Sequence, residues 1–221
     1  MSEKAKIVLL ANSVKNGLYC VAGINIENKE WIRIVEDSQG KEISWYNYFI
    51  KNTNTKPPPI LSLLEIEIEQ RYPYYHQTEN CKIKPNITYL EELSKDKLEN
   101  FVQNPSVLWD INDRMSLSDI KNRKVKSSLY LIKVDKVKLY LKDRAEYNKQ
   151  PQRRASFKYN GFEYDLAITD VKYGNRNLYP IEIENPYLVV SLGEPFRGEN
   201  FDDYYCFKIV AGIITWKKFS Q

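Results

Sequence analysis

The chain has 221 residues, 33 of them Lys or Arg and 29 Asp or Glu, for a net charge of +4 with its single histidine neutral. That length suits one large all-β domain or two small ones and buries an adequate core without staples. Three widely spaced cysteines, Cys20, Cys81 and Cys206, form no CxxC pair, which argues against a disulfide framework or a zinc site and for reduced thiols in a cytoplasmic protein.

No stretch approaches the roughly 20 apolar residues that span a bilayer, so no membrane partner is expected. Residues 1–13 turn polar too soon for a secretory signal. Residues 6–11 and 18–26 read as strands, separated by a turn-rich loop over 12–17. Residues 30–35 alternate, with Trp31 and Arg33 on one face and Ile32 and Ile34 on the other. Residues 45–50 suit a short helix or a strand, and Pro57-Pro58-Pro59 fixes an extended connector.

Residues 62–70 alternate strictly, Leu64, Ile66 and Ile68 opposite Glu65, Glu67 and Glu69, the mark of a half-buried strand. Over 85–103 the period changes. Leu90, Leu93, Leu98, Phe101 and Val102 fit a helical face, and Thr88 with Glu91 resembles a capping box. The segment 105–122 reads as loops and short turns. Residues 127–141 are too long for one ordinary strand, and their phase slips at Asp135-Lys136, which predicts a bulge or a passage between sheets. Residues 156–169 form a hairpin signature, with Asn160-Gly161 supplying the positive φ of a type I′ turn. Residues 187–192 and 207–216 suit buried strands. About ten short strands with one helix indicate sandwiches or small barrels.

Charge is uneven along the chain. Residues 1–110 carry a net −2 and the remainder +6, and the window 121–158 alone holds thirteen Lys or Arg against three Asp or Glu. Tyr130, Tyr140, Tyr147 and Phe157 are interleaved there. Such a window is an electrostatic footprint for a polyanion, with aromatic rings to stack on bases. The competing reading is a solvated lysine-rich strand face.

Several segments together carry a family likeness. Leu10-Ala11-Asn12-Ser13 with Lys15, then Cys20-Val21-Ala22-Gly23 and Glu30-Trp31-Ile32-Arg33, resemble the start of the dual OB-containing domain family of bacterial conflict systems. His76-Gln77-Thr78-Glu79-Asn80 matches its HQxEN-like segment. Tyr164-Asp165-Leu166, Ile168-Thr169-Asp170, the run from Ser191 to Phe196 and the closing strand from Phe207 to Ile214 agree in order. Ile34 departs, where proline is expected. The resemblance implies a mainly β fold of two OB-like small β-barrels packed together; the phase slip places their junction, giving residues 1–125 and 126–221, and the helical period gives a short insertion around 88–103. The resemblance also implies a non-catalytic nucleic-acid-binding module.

On that frame, Lys133, Lys136, Lys138, Lys142, Arg144, Arg153, Arg154 and Lys158 are candidate phosphate contacts, and Tyr140, Tyr147 and Tyr159 candidate stacking rings. Ser13 and Lys15, followed by Gly17, offer a hydroxyl, an ammonium and open backbone amides to a phosphate, although no P-loop pattern is present. Trp31 and Arg33 form either a stacking clamp or a core ring beside a carboxylate-paired guanidinium. His76, Gln77, Glu79 and Asn80 are expected to form a hydrogen-bonded network fixing the junction between the barrels. No metal or cofactor is expected.

The reading that follows is a recognition subunit for single-stranded or altered DNA or RNA in a bacterial defence system, working with an effector protein encoded nearby. Three alternatives stand beside it. One is a metal-dependent nuclease using Asp165, Asp170 and an acid such as Glu163. Another is a nucleotide-sensing ligand-binding domain. The last is a scaffold whose basic stretch docks an acidic partner.

Overall fold

Period-two patterning becomes strand almost throughout the computed structural model, which describes residues 3–15, 17–54, 56–199 and 201–216. The side chains of Lys15 and Tyr147 lie outside what is described. The chain divides into two units, the first made of Met1–Val102 with Lys126–Ser128 and the second of Gln103–Val125 with Leu129–Gln221.

In the first unit the strands are β1 (Glu3–Lys15), β2 (Leu18–Asn25), β3 (Trp31–Ile34), β4 (Phe49–Lys51), β5 (Ser62–Arg71), β6 (Asn80–Ile83) and β7 (Asn86–Glu92). The order β1-β2-β3-β6-β5 closes on itself because β1 also pairs with β5. One strand serves two neighbours. The Glu3–Val8 part of β1 pairs with β5 and its Ile7–Lys15 part with β2, and the register shifts between Leu9 and Ala11. Such an irregularity bends a strand and lets it turn a barrel corner. Gly23 lies opposite Leu9, where a Cβ would collide with the Val8 carbonyl, so only glycine allows the two strands this approach. β3 and β6 run parallel and the other ring pairs antiparallel. Ile7, Leu9, Val21, Ile32, Ile34, Leu64, Ile66 and Cys81 fill the interior.

Two expectations change here. Residues 12–15 are strand and not loop, since β1 runs to Lys15 and Ser13 pairs with Cys20. The polar residues here are tolerated inside because Asn12 Oδ1 accepts the Trp45 indole N–H at 3.0 Å. Likewise Asn86–Glu92 is strand, not helix, and Thr88 lies opposite Glu65 and Lys51 in the ladders rather than capping a helix. The free edge of β5 recruits Ile87, Thr88 and Tyr89, types that suit a pleated surface. Within 85–103 helix is confined to α1 (Lys95–Leu98) and a 3₁₀ turn at Glu99–Phe101.

The second unit holds β8 (Arg114–Ser116), α2 (Leu117–Asn122), β9 (Leu129–Lys133), β10 (Lys136–Lys142), β11 (Gln152–Tyr159), β12 (Phe162–Ile168), β13 (Ile181–Glu184), β14 (Tyr187–Phe196) and β15 (Tyr205–Ile214). Their order is β13-β10-β11-β12-β15-β14-β9, with β8 on β15. The phase slip at Asp135 is the break between β9, which pairs with β14, and β10, which pairs with β11. Together they repeat the role of β1. Asn160 and Gly161 turn the β11–β12 hairpin with φ of 48° and 84°, as a type I′ turn requires.

The segment Gln103–Val125 belongs to this unit, whereas the sequence reading placed it with the first barrel. Leu108, Met115 and Ile120 join Ile132, Val137, Phe157, Leu166 and Val210 in the core, and Tyr164 Oη accepts the Leu108 backbone N–H at 3.2 Å. Cys81 and Cys206 are buried in their respective cores and Cys20 is half-buried on β2.

Candidate functional site

Alternation along β10–β13 decides where the basic window points. Val137, Leu139, Ala155, Phe157, Tyr164, Leu166 and Ile183 face the core. The intervening Lys136, Lys138, Tyr140 and Lys142 of β10 therefore share the outer face with Arg154 and Lys158 of β11. Cross-strand register then brings acids to both sides. Glu184 lies opposite Lys136 and Glu182 opposite Lys138 on β13, while Glu163 lies opposite Lys158 on β12.

Most of the expected phosphate contacts on this face are thereby held. Lys136 Nζ lies 3.0 Å from Glu182 and 3.3 Å from Glu184, and the hydrogen bonds it donates to those two carboxylates hold its ammonium pKa above the usual value. Lys158 pairs with Glu163 at 3.2 Å. Arg154 donates from Nε to Asp165 at 3.1 Å, from Nη2 to the Asp165 carbonyl and from Nη1 to Gln152 at 3.2 Å. Tyr140 donates its hydroxyl to the same Asp165 at 2.8 Å. Burial first, then that carboxylate, raises the phenol pKa. The ring of Tyr159 is in the core, where no base can stack on it. Lys133 lies over the Tyr187 ring at 5.4 Å.

The cations without a carboxylate partner gather elsewhere. Among the described residues, Lys138, Lys142 and Arg144 have no ion pair, and neither does Lys149. Lys142, Arg144 and Lys149 all belong to the turn end of the β10–β11 hairpin. Arg153 starts the return strand and donates to the Asp170 carbonyl at 3.2 Å. Arg176 reaches the same loop by donating to Gln150 at 2.9 Å. Lys172, exposed beside Asp170, adds a sixth cation to this end. The exposed acids here are Asp143, which accepts the Ala145 backbone N–H, and Glu146.

The residues proposed for metal chemistry are differently employed. Asp170 accepts the backbone N–H of Ile213 at 2.8 Å and of Lys172 at 2.9 Å. Burial raises its carboxyl pKa, offset in part by those donors. Asp165 is committed to Arg154 and Tyr140, and Glu163 to Lys158. Among the described residues no three His, Cys, Asp or Glu side chains are grouped to hold a metal ion.

In the first unit the candidate residues turn inward. Ser13 is 2% exposed and Trp31 5%. The Arg33 side chain, 13% exposed, lies 3.7 Å from Glu79 and donates to Ser128 at 2.7 Å. Ser128 in turn donates to Glu79, and Thr78 donates to the Lys126 carbonyl. His76, Gln77 and Asn80 are buried beside them in sequence, with Asn80 donating to Gln77 at 3.4 Å. This network ties the Lys126–Ser128 segment to the first unit. Arg33 is thus the carboxylate-paired guanidinium and not an open clamp.

A closed five-stranded ring in the first unit, and in the second a sheet whose first strand is shared between two neighbours, fit the model of the dual OB-containing domain, which matches residues 5–213. The chain belongs to that family. This dual OB protein matches no curated protein sequence. It is similar to a solved structure titled "Crystal structure of the tetrameric p202 HIN2", at 9% identity and a TM-score of 0.32 over 96% of this chain and 94% of that one.

Sequence reasoning missed Lys149, Lys172 and Arg176 because only the folded hairpin end brings them beside Lys142 and Arg144. It also missed the neutralising acids of β12 and β13. Their one signal was the alternating Glu182 and Glu184 on a strand of opposite sign to β10.

Proposed function

We propose that this dual OB protein is a nucleic-acid-binding module that takes a single strand, or an altered duplex, against the end of the β10–β11 hairpin. The observation that carries the reading is local. Lys142, Arg144, Lys149, Arg153, Lys172 and Arg176 stand there against two exposed acids, while farther along the sheet Lys136, Arg154 and Lys158 are neutralised by their own neighbours. Uncompensated cations bind polyphosphates by releasing condensed counterions. OB barrels suit the task because their loops close over an oligonucleotide lying on the sheet. Family membership supports a recognition role beside an effector encoded elsewhere, within bacterial defence. The three cysteines, none in a disulfide, fit a reducing cytoplasm.

If Lys142, Arg144, Lys149 and Arg176 each neutralise one phosphate, log K for a single strand falls against log salt with a slope of about −3. The variant Lys142→Ala/Arg144→Ala/Lys149→Ala reduces that slope to about −1 and weakens binding at least about tenfold. An unchanged slope in this variant overturns the assignment. Lys136→Ala/Lys158→Ala, whose ammonium groups are already paired, leaves it within error.

A further inference from the structure

The opposite electrostatic sign appears on the β8 and β14–β15 side of the second unit. Register sets the geometry. Phe196 lies opposite Tyr205, Tyr205 opposite Ser116, and Phe207 opposite Arg114. These residues share one side of the sheet, because Cys206 and Met115, which alternate with them, are buried in the core. The rings are therefore carried on the solvent side. Phe201, from the connecting loop, packs 5.1 Å from Tyr205 and 6.2 Å from Phe207. Phe201 also packs 6.4 Å from Phe196, which is 59% exposed. Exposed rings at this density are costly unless something covers them.

Beside the rings is a cavity of about 390 Å³ whose wall carries Asp110, Asp113, Asp119, Asp202 and Asp203 against one cation, Arg114. Some of that charge is offset from behind. Arg123 lies 3.6 Å from Asp110, and Lys208 holds the carbonyls of Asp110 and Asn112 at 2.5 Å. Asp119 and Asp202 have only hydroxyl donors as side-chain partners, Ser116 and Tyr205, each at 2.9 Å. Hydroxyls orient a carboxylate without cancelling its charge. A polyphosphate is repelled by such a wall and a cation is drawn to it.

The surface also shows how it holds a cation. The Arg114 guanidinium carbon lies 5.2, 5.1 and 5.5 Å from the ring centres of Phe201, Tyr205 and Phe207, with Asp113 at 3.9 Å. Arg197 lies similarly over Tyr204 at 5.7 Å. A planar guanidinium is suited to this mixture, since it stacks on rings while its N–H fork meets a carboxylate, and it loses less hydration than an ammonium.

From the exposed rings and the charge of the cavity beside them, we infer that this face docks an arginine-bearing basic segment of a partner protein. An incoming guanidinium group stacks on Phe196, and its neighbours pair with Asp119 and Asp202. The surface is built from strands other than those of the basic hairpin end, so the inference stands whether or not that end binds nucleic acid.

The test is fluorescence anisotropy of a labelled peptide alternating glycine and arginine against the full chain, beside a lysine-for-arginine peptide and a labelled single-stranded oligonucleotide. The arginine peptide is expected to bind several-fold more tightly than the lysine peptide. Asp119→Asn/Asp202→Asn should weaken it at least about tenfold and, separately, Phe196→Ala at least about threefold, both leaving oligonucleotide binding unchanged. The ring variant keeps every charge, which separates stacking from nonspecific attraction. Thermal melts of both variants should match the parent, because all three side chains are at the surface. The inference is overturned if the ring variant binds the peptide normally, or if either variant loses oligonucleotide instead. It is equally overturned if sedimentation shows a dimer abolished by Asp119→Asn/Asp202→Asn, since the occupant is then a second copy of this chain.

Discussion

In the first barrel Arg33, His76, Gln77, Glu79 and Asn80 are folded into the interior, whereas in the second Lys138, Lys142, Arg144, Asp119 and Asp202 face solvent. Both units share one construction, a long first strand divided between two neighbours, through a register shift in β1 and through a chain break between β9 and β10. Their polar residues differ in use. An interior ion pair must be satisfied completely, so it fixes one arrangement of the chain and has little to offer a ligand. Surface charge leaves its remaining hydrogen-bonding capacity open. On the proposed reading, the first unit serves architecture and the second recognition.

The sharpest way to break that contrast is Glu79→Ala. It strands the buried Arg33 guanidinium and removes the Ser128 acceptor, and is expected to cost about 3 kcal/mol or more of stability in urea unfolding. Glu79→Gln keeps an acceptor for Ser128 and is expected to cost less. Both should leave the salt slope of nucleic-acid binding unchanged, because the hairpin end is in the other unit. The triple hairpin variant is the mirror experiment, with binding reduced at least about tenfold and stability within about 0.5 kcal/mol of the parent.

A smaller effect is expected at Lys208. It is 2% exposed, and burial pulls its ammonium pKa from 10.5 down to about 8. Between those values the unfolded chain binds the extra proton, so this group's contribution to stability rises with pH. The buried thiols oppose it above pH 9, where they ionise in the unfolded chain, while burial holds Cys81 at about 11 and Cys206 at about 12 in the fold. Denaturation of the parent and of Lys208→Met should therefore diverge by about 1 kcal/mol from pH 8 to pH 9, in favour of the parent at the higher pH. Parallel curves would mean that Lys208 stays charged. The smallest change is expected for Tyr140→Phe, which removes one hydrogen bond to the half-exposed Asp165 and should cost about 1 kcal/mol or less.

What the sequence made legible was local. The alternation at Leu64, Ile66 and Ile68, the Asn160-Gly161 turn and the slip at Asp135 all appear in the fold, because each is decided by residues within a few positions. Asn12 and Ser13 read as loop because polarity along the chain does not reveal a Trp45 indole arriving from 33 residues away. Thr88 and Glu91 read as a helix start because the exposed edge of β5 cannot be seen from the segment that fills it. The basic window was real as composition, but Glu163, Asp165, Glu182 and Glu184 join it only through sheet register. Arg154 and Lys158 therefore could not be separated from Lys142, Arg144 and Arg153 by counting charges.

The unequal settings of the three thiols have a practical consequence. An electrophilic dye reacts with thiolate that it can reach, and the two core cysteines are both enclosed and held protonated. Cys20, half-buried on β2, is then the position that maleimide modifies first in the native chain. A fluorophore can be attached to the first unit, at a residue that belongs to neither proposed surface, without engineering a site.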